Sequence, residues 1–214
     1  MTGTLVDSLR LAILSSEFVP GQRLVEADLC DRFSASRRAI RDALARLDQE
    51  GLVERKSNVG ARVRNISVDE AIENAEVRLL VETFCVARAA QNINAEAAER
   101  LRDCAEALSR AAEQGDVTRY SKASAELIDI YISLSGHGVA RDTLERLRML
   151  NARHGFRVTS GAGWLKEALP RRLDLIDAIC RGDSDAAVAA LRIHAEAVMA
   201  AMRRLGNGKG RRAD

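Results

Sequence analysis

From Ser67 to about residue 205, apolar residues recur every three or four positions in six runs, near 68–91, 95–113, 116–134, 139–156, 165–181 and 183–205. That spacing is the period of an α-helix with one buried face. Only short breaks separate the runs: "NIN", "GD", "SGHG", "TSGAG" and "RGD". Links this short make successive helices neighbours, so the segment is expected to fold as a six-helix antiparallel bundle. Composition agrees. Aromatic residues are 3% of the chain and hydrophobic residues 47%, which favours helices over strands and suffices for a core. "VTSGAGW", 158–164, reads as the longest flexible connection, with Trp164 in it as a lid or a plug. Pro20 and Pro170 are expected near element boundaries.

The first 66 residues have shorter elements. Leu5, Leu9, Ile13 and Leu14 give residues 4–16 one apolar face, and "FVPGQRL" then breaks the pattern with a Pro-Gly turn. Residues 25–33 read as a second helix. "SAS" is a turn offering Ser34 and Ser36 as N-caps, and a third helix runs from about 36 to 50, stopping before Gly51. "LVERKSNVGARVRNI" then reads as a small β-hairpin. The expected fold is mostly α: an N-terminal winged helix-turn-helix, residues 1–66, and the helical bundle, residues 67–205. A basic, disordered tail is expected over 206–214.

Charge picks out the third helix. On a helical wheel Ile40, Ala43, Leu44 and Leu47 form one stripe, with Arg38 and Arg41 roughly opposite and Arg37 on the shoulder. A helix N-terminus already carries partial positive charge, so arginines there cost stability unless an anion is expected. Phosphates and guanine edges are such partners. A merely solvated arginine cluster is the alternative reading of this helix taken alone. The hairpin adds Arg55, Lys56, Arg62 and Arg64, with no acid among residues 55–64. Three short helices and a basic wing place the third helix in a major groove of double-stranded DNA.

These residues carry a family resemblance. "PGQRLVEADLCDRFSASRRAIRDALARLDQEGLVERKSNVGARV" resembles the N-terminal domain of GntR-type bacterial transcription regulators, over about 45 residues. Ser34, Arg38 and Ala39 stand where the family has Gly, Thr and Pro, and Ala27 where many members carry a contacting arginine. The resemblance implies that Ser36, Arg37, Arg38 and Arg41 meet DNA, with Gly60 at the wing tip; Arg62, from the basic hairpin, is expected to meet DNA as well. It also implies a homodimer on a palindromic operator.

The helical half is similar to the FCD-type effector domain, in its shorter, VanR-like version. The matching stretches are "EVRLLVETFCVARAA", "SGHGVARDTLERLRML" and "IDAICRGDSDAAVAALRIHAEAV". Many such domains hold a divalent metal through one Asp and three His. The corresponding positions here are Ser124, Ile128, Arg172 and His194, of which only the last is a metal ligand. No metal and no other cofactor is expected. Arg78 matches an arginine that often faces the pocket in such domains, and Arg172 replaces a metal ligand. Two inward guanidiniums suit a carboxylate or phosphate, so a small organic acid held by Arg78, Arg172 and His194, aided by Ser124, is expected. A structural Arg78, paired with Glu76 or Glu82 without any ligand, is the alternative. So is a degenerate sensor that serves only dimerisation. His137 and His154 are read as solvated surface.

The remaining features exclude other classes. Cys30, Cys85, Cys104 and Cys180 are far apart and read as reduced thiols. No apolar run reaches about 20 residues, so no membrane span is expected and the protein is placed in the cytoplasm. Three histidines and no catalytic constellation argue against an enzyme.

Overall fold

The computed structural model describes residues 4–14, 17–56 and 60–207. Its elements are α1 (Leu5–Leu14), β1 (Arg23–Leu24), α2 (Glu26–Phe33), α3 (Arg37–Gln49), β2 (Val53–Lys56), β3 (Gly60–Val63), α4 (Val68–Gln91), α5 (Ala95–Gln114), α6 (Val117–Ser135), α7 (Gly138–Thr159), α8 (Trp164–Cys180) and α9 (Ser184–Asn207). The chain is mostly α: a winged helix-turn-helix followed by a helical bundle.

The N-terminal half closes over Leu9, Ile13, Leu29, Ile40, Leu44 and Leu47, with Leu52, Val53 and Val63 from the wing. The α3 stripe read from the sequence is the buried one: Ile40, Ala43, Leu44 and Leu47 are each at most 2% exposed. Each fully buried aliphatic side chain stabilises the fold by roughly 1.5–3 kcal/mol. Ser36 caps α3, its Oγ accepting from the Ala39 N–H at 3.2 Å. Ser34 is not a cap of α3. It closes α2 in the left-handed conformation, φ 49°, the sole positive φ outside glycine among the described residues. The hairpin gains a third strand that the sequence does not announce. β1, two residues long, pairs with β3 in the antiparallel order β1-β3-β2. Periodicity cannot register two residues. The strand is fixed by burial of Leu24 and by the flanking Gly21 N–H to Val63 C=O and Val63 N–H to Gln22 C=O bonds.

In the bundle α4 and α9 run antiparallel. The Ser184 hydroxyl donates to the Ala87 carbonyl at one end, and Gly206 lies against Val68 at the other. Capping matches the breaks: Ser67, Asn94 and Asp116 accept from the third backbone N–H of α4, α5 and α6, and His137 Nδ1 does so for α7. Several expectations are corrected here. α7 continues to Thr159, drawn on by burial of Val158, so the link to α8 is only residues 160–163. Trp164 is the buried first residue of α8 rather than part of a loop. Pro170 lies inside α8, which continues because Leu165, Ala168, Arg172 and Leu175 on either side of it are buried. α9 keeps residues 206 and 207 helical; residues 208–214 of the expected tail lie outside the described residues. His154 is half-buried, not solvated, with Nε2 2.9 Å from the Ile66 carbonyl oxygen.

Residues 64–67 connect the halves, and α7 grips this stretch. Besides the His154 contact, Leu150 lies against Gly51, and Met149 packs on the N-terminal core. Cys85 and Cys104 are buried, Cys30 and Cys180 half-buried, and all four are free thiols. Burial pushes the Cys104 thiol up to about 11, so it stays protonated and unreactive. Among the described residues no helix is long and apolar enough to cross a membrane.

Two backbone positions give opposite expectations in urea unfolding. Ser34→Gly relieves a left-handed serine and should raise stability by about 1 kcal/mol. Gly51 has φ +76°, and an added Cβ would strike Leu150. Gly51→Ala should therefore lower stability by more than ~1 kcal/mol.

Candidate nucleic-acid interface and ligand cavity

α3 is held by one face and free on the other. Arg37, Arg38 and Arg41 are exposed near its N-terminus, and the Arg38 side chain is 94% exposed. Two of these guanidiniums have intramolecular neighbours that the sequence did not reveal. Arg41 Nε donates to Glu26 at 2.8 Å, and Arg38 lies 4.0 Å from Asp42. On the wing, Arg62 pairs with its cross-strand neighbour Glu54 at 3.0 Å. Exposed pairs of this kind contribute only about 0–1 kcal/mol, so a phosphate can displace the carboxylate at little cost. Ser36 has an exposed hydroxyl that already accepts from Ala39. Gly60 opens β3 at φ +99° beside the wing turn, whose residues 57–59 lie outside the described residues. Arg64 does not join the wing face; it forms an ion pair with Glu70 at the start of α4.

The bundle holds a half-open cavity of about 840 Å³, walled by α4, α6, α7, α8 and α9 and reaching Leu11 and Leu14 of α1. Arg78, Ser124, Arg172 and His194, expected as effector contacts from the resemblance, all line it. They come from four helices that are far apart in sequence. Arg172 and His194 are buried, at 7% and 6% exposed. Four polar atoms in the lining have no hydrogen-bond partner among the described residues: Tyr120 Oη, Ser124 Oγ, Arg172 Nε and His194 Nδ1. A fifth, Asn151 Oδ1, is also unpartnered, while its Nδ2 donates to the Ala71 carbonyl at 2.7 Å.

Arg78 is engaged. Its Nε lies 3.3 Å from Glu82, which is 1% exposed and also accepts from the Tyr131 hydroxyl at 2.9 Å. This is the structural pairing that the sequence left open, with Glu82 and not Glu76 as partner. Glu76 instead faces Arg203 at 3.9 Å. Tyr120, Tyr131 and Asn151 were not anticipated. Tyr120 stands one helical turn before Ser124, a spacing that could have drawn notice; the Glu82–Tyr131 and Asn151–Ala71 contacts are long-range and leave no sequence signal.

Electrostatics separate the groups. The adjacent Glu82 carboxylate raises the Arg78 pKa, whereas burial lowers that of Arg172; guanidinium remains charged in either setting. Burial, and then Arg172, Arg171 and Arg78, hold His194 well below the usual histidine range. Burial raises both tyrosines, so their phenols are neutral. A divalent cation does not fit these residues. Of the four metal-type positions only His194 offers a ligand atom, and it sits among guanidiniums. Asp129, next to the Ile128 position, is exposed and bound to Arg148 at 2.6 Å. Among the described residues no three His, Cys, Asp or Glu converge as a metal site.

His194 is neutral in the folded protein, whereas an unfolded histidine takes up a proton near pH 6.5. Its contribution is therefore complete above about pH 6.5 and is lost as the pH falls below it, because the unfolded chain binds the extra proton. Urea midpoints measured between about pH 7.5 and 5 should fall less steeply for His194→Gln than for the wild type; parallel curves would mean that His194 titrates normally.

Comparison with known proteins places both halves. Residues 2–63 match the model of the bacterial regulatory proteins of the gntR family, and residues 73–197 match the FCD domain. The HTH-type transcriptional repressor RspR of Escherichia coli (strain K12) is 23% identical over 197 residues, 92% of this chain and 86% of that protein. Among solved structures, E. coli McbR/YncC superposes with a TM-score of 0.81 at 18% identity, covering 96% of this chain and 99% of that one. Listeria monocytogenes Lar superposes at 0.68 and 20% identity, covering 94% and 95%. At such identities the structures attest the fold alone. The family models span the winged half and most of the bundle, and the chain belongs to the gntR family of DNA-binding transcription regulators, with an FCD domain as its helical half.

Proposed function

We propose that this regulator is a cytoplasmic homodimer whose grip on a palindromic operator changes when a small organic acid enters the helical cavity. Residues 1–66 are the DNA-binding domain and 67–205 the effector and dimerisation domain, with a basic tail beyond. One observation carries the effector reading: a buried guanidinium, Arg172, faces the cavity with its Nε unpartnered, beside Tyr120, Ser124 and His194 atoms that are also unpartnered. Leaving such groups buried and unsatisfied costs free energy. A bundle that served only dimerisation would gain stability by replacing them with apolar residues. A carboxylate would accept from Arg172 in a charge-assisted pair, with Ser124, Tyr120 and His194 on its remaining positions. Arg78, already bound to Glu82, sets the local charge. Val77, Leu80 and Phe84 form an exposed apolar stripe on α4 that supports self-association.

At the DNA, α3 lies in the major groove with Arg38 and Arg41 directed at bases, Ser36 and Arg37 at phosphates, and Arg62 and Gly60 on the wing. Arg38, Arg41 and Arg62 each exchange a weak carboxylate neighbour for the polyanion. Dimer symmetry matches two half-sites.

The operator can be recovered by selecting bound duplexes from a random pool, and anisotropy titrations on the enriched sequence then test the arginines. Arg38→Ala or Arg41→Ala should cost about 1–3 kcal/mol on the operator and much less on random duplex. Equal losses on both would reassign them to phosphates. Calorimetry of the full chain against a panel of organic acids tests the cavity. Arg172→Ala should abolish any binding found, and unchanged affinity in that variant would remove the effector reading.

A further inference from the structure

The buried end of the cavity has a charge count that narrows what it can hold. Two guanidiniums, Arg78 and Arg172, line it, and one buried carboxylate, Glu82, stands behind Arg78. Glu82 is spent on Arg78 at 3.3 Å and on the Tyr131 hydroxyl at 2.9 Å. Among the described residues no carboxylate pairs with Arg172, and its Nε has no hydrogen-bond partner. The other ionisable groups close by do not alter this count: Arg141 and Glu145 also line the cavity, but they are one of each sign and exposed to solvent. His194 and the two tyrosines are neutral. Arg171 is answered by Glu167 at 3.6 Å and lies 5.6 Å from the Trp164 ring centroid. Arg148 is answered by Asp129, which is exposed and screened by solvent. One positive charge therefore remains uncompensated in the interior.

Resting on the effector reading above, we infer that the cavity takes a monocarboxylate with an apolar body, of the aryl- or alkylcarboxylate class, and discriminates against di- and tricarboxylates. A single carboxylate cancels the residual charge on Arg172. A second carboxylate at this buried end would find no unpaired guanidinium, and an unpaired buried charge is strongly unfavourable. The rest of the wall matches an apolar body: Ile128, Ile132, Val158, Trp164, Val198 and Met202 line it. At about 840 Å³ the cavity admits a body much larger than a carboxylate alone. Neutral His194, with Ser124 and Tyr120, supplies hydrogen bonds without adding charge.

The test uses the full chain and five probes in calorimetry: benzoate and 4-phenylbutanoate as monoanions, isophthalate and citrate as multiply charged acids, and benzamide as a neutral isostere. At least one monoanion should bind about tenfold or more tightly than isophthalate or citrate, and benzamide should not bind. Glu82→Gln keeps the shape and leaves a second uncompensated guanidinium, so it should move the preference toward isophthalate by about tenfold. Arg172→Gln should abolish binding of the monoanion, and circular dichroism checks that both variants fold. If Glu82→Gln does not fold, the wild-type ranking decides. A wild-type preference for isophthalate or citrate, or an unshifted ranking in folded Glu82→Gln, overturns the monoanion class and leaves an anion site standing. If no acid binds, or if Arg172→Gln binds as the wild type does, the inference and the effector reading fall together.

Discussion

A carboxylate inside a helical bundle is tolerable only with donors on it, and Glu82 has two. Arg78 comes from the preceding turn of α4, and Tyr131 reaches across from α6. The trio joins two helices and fixes where positive charge ends up in the cavity. With Arg78 satisfied, Arg172 on α8 is left facing an apolar chamber with an unpartnered Nε. The neutral state of His194 follows from the same arrangement, since it is buried beside several guanidiniums.

The winged half uses amphipathicity in the other direction. Burial of the Ile40, Ala43, Leu44 and Leu47 stripe leaves α3 no freedom to turn its arginines inward. Its free face rests in weak exposed ion pairs, Arg41 with Glu26 and Arg38 with Asp42. Such pairs hold side chains near their working positions and yield readily to a polyanion.

The α3 stripe was legible because 13 helical residues supply enough apolar positions to define a face. β1 was not legible, because two residues have no period and the strand exists through its bonds to β3. α7 passes Gly155 and ends four residues later because burial of Val158 outweighs the local cost of glycine. The same tertiary override carries α8 through Pro170. At the cavity, a family resemblance indicated Arg78, Ser124, Arg172 and His194 by position, and the fold brings the four together. The pairing of Arg78 with Glu82 was one of two options, and only packing selects between them. Tyr120 and Asn151 escaped because a buried tyrosine or asparagine is identified by its distant partners, or by their absence, and not by its neighbours in sequence.

Leu11 and Leu14 of α1 stand at the edge of the cavity, on the far side of the linker from every other residue that lines it. Part of the cavity's rim thus belongs to the half that reads DNA. Cutting the chain at residues 64–67 would remove that rim and expose more of Met149 and Ala152, which are half-buried in the intact chain. A fragment comprising the bundle alone would present a wetter, shallower vestibule than the intact regulator.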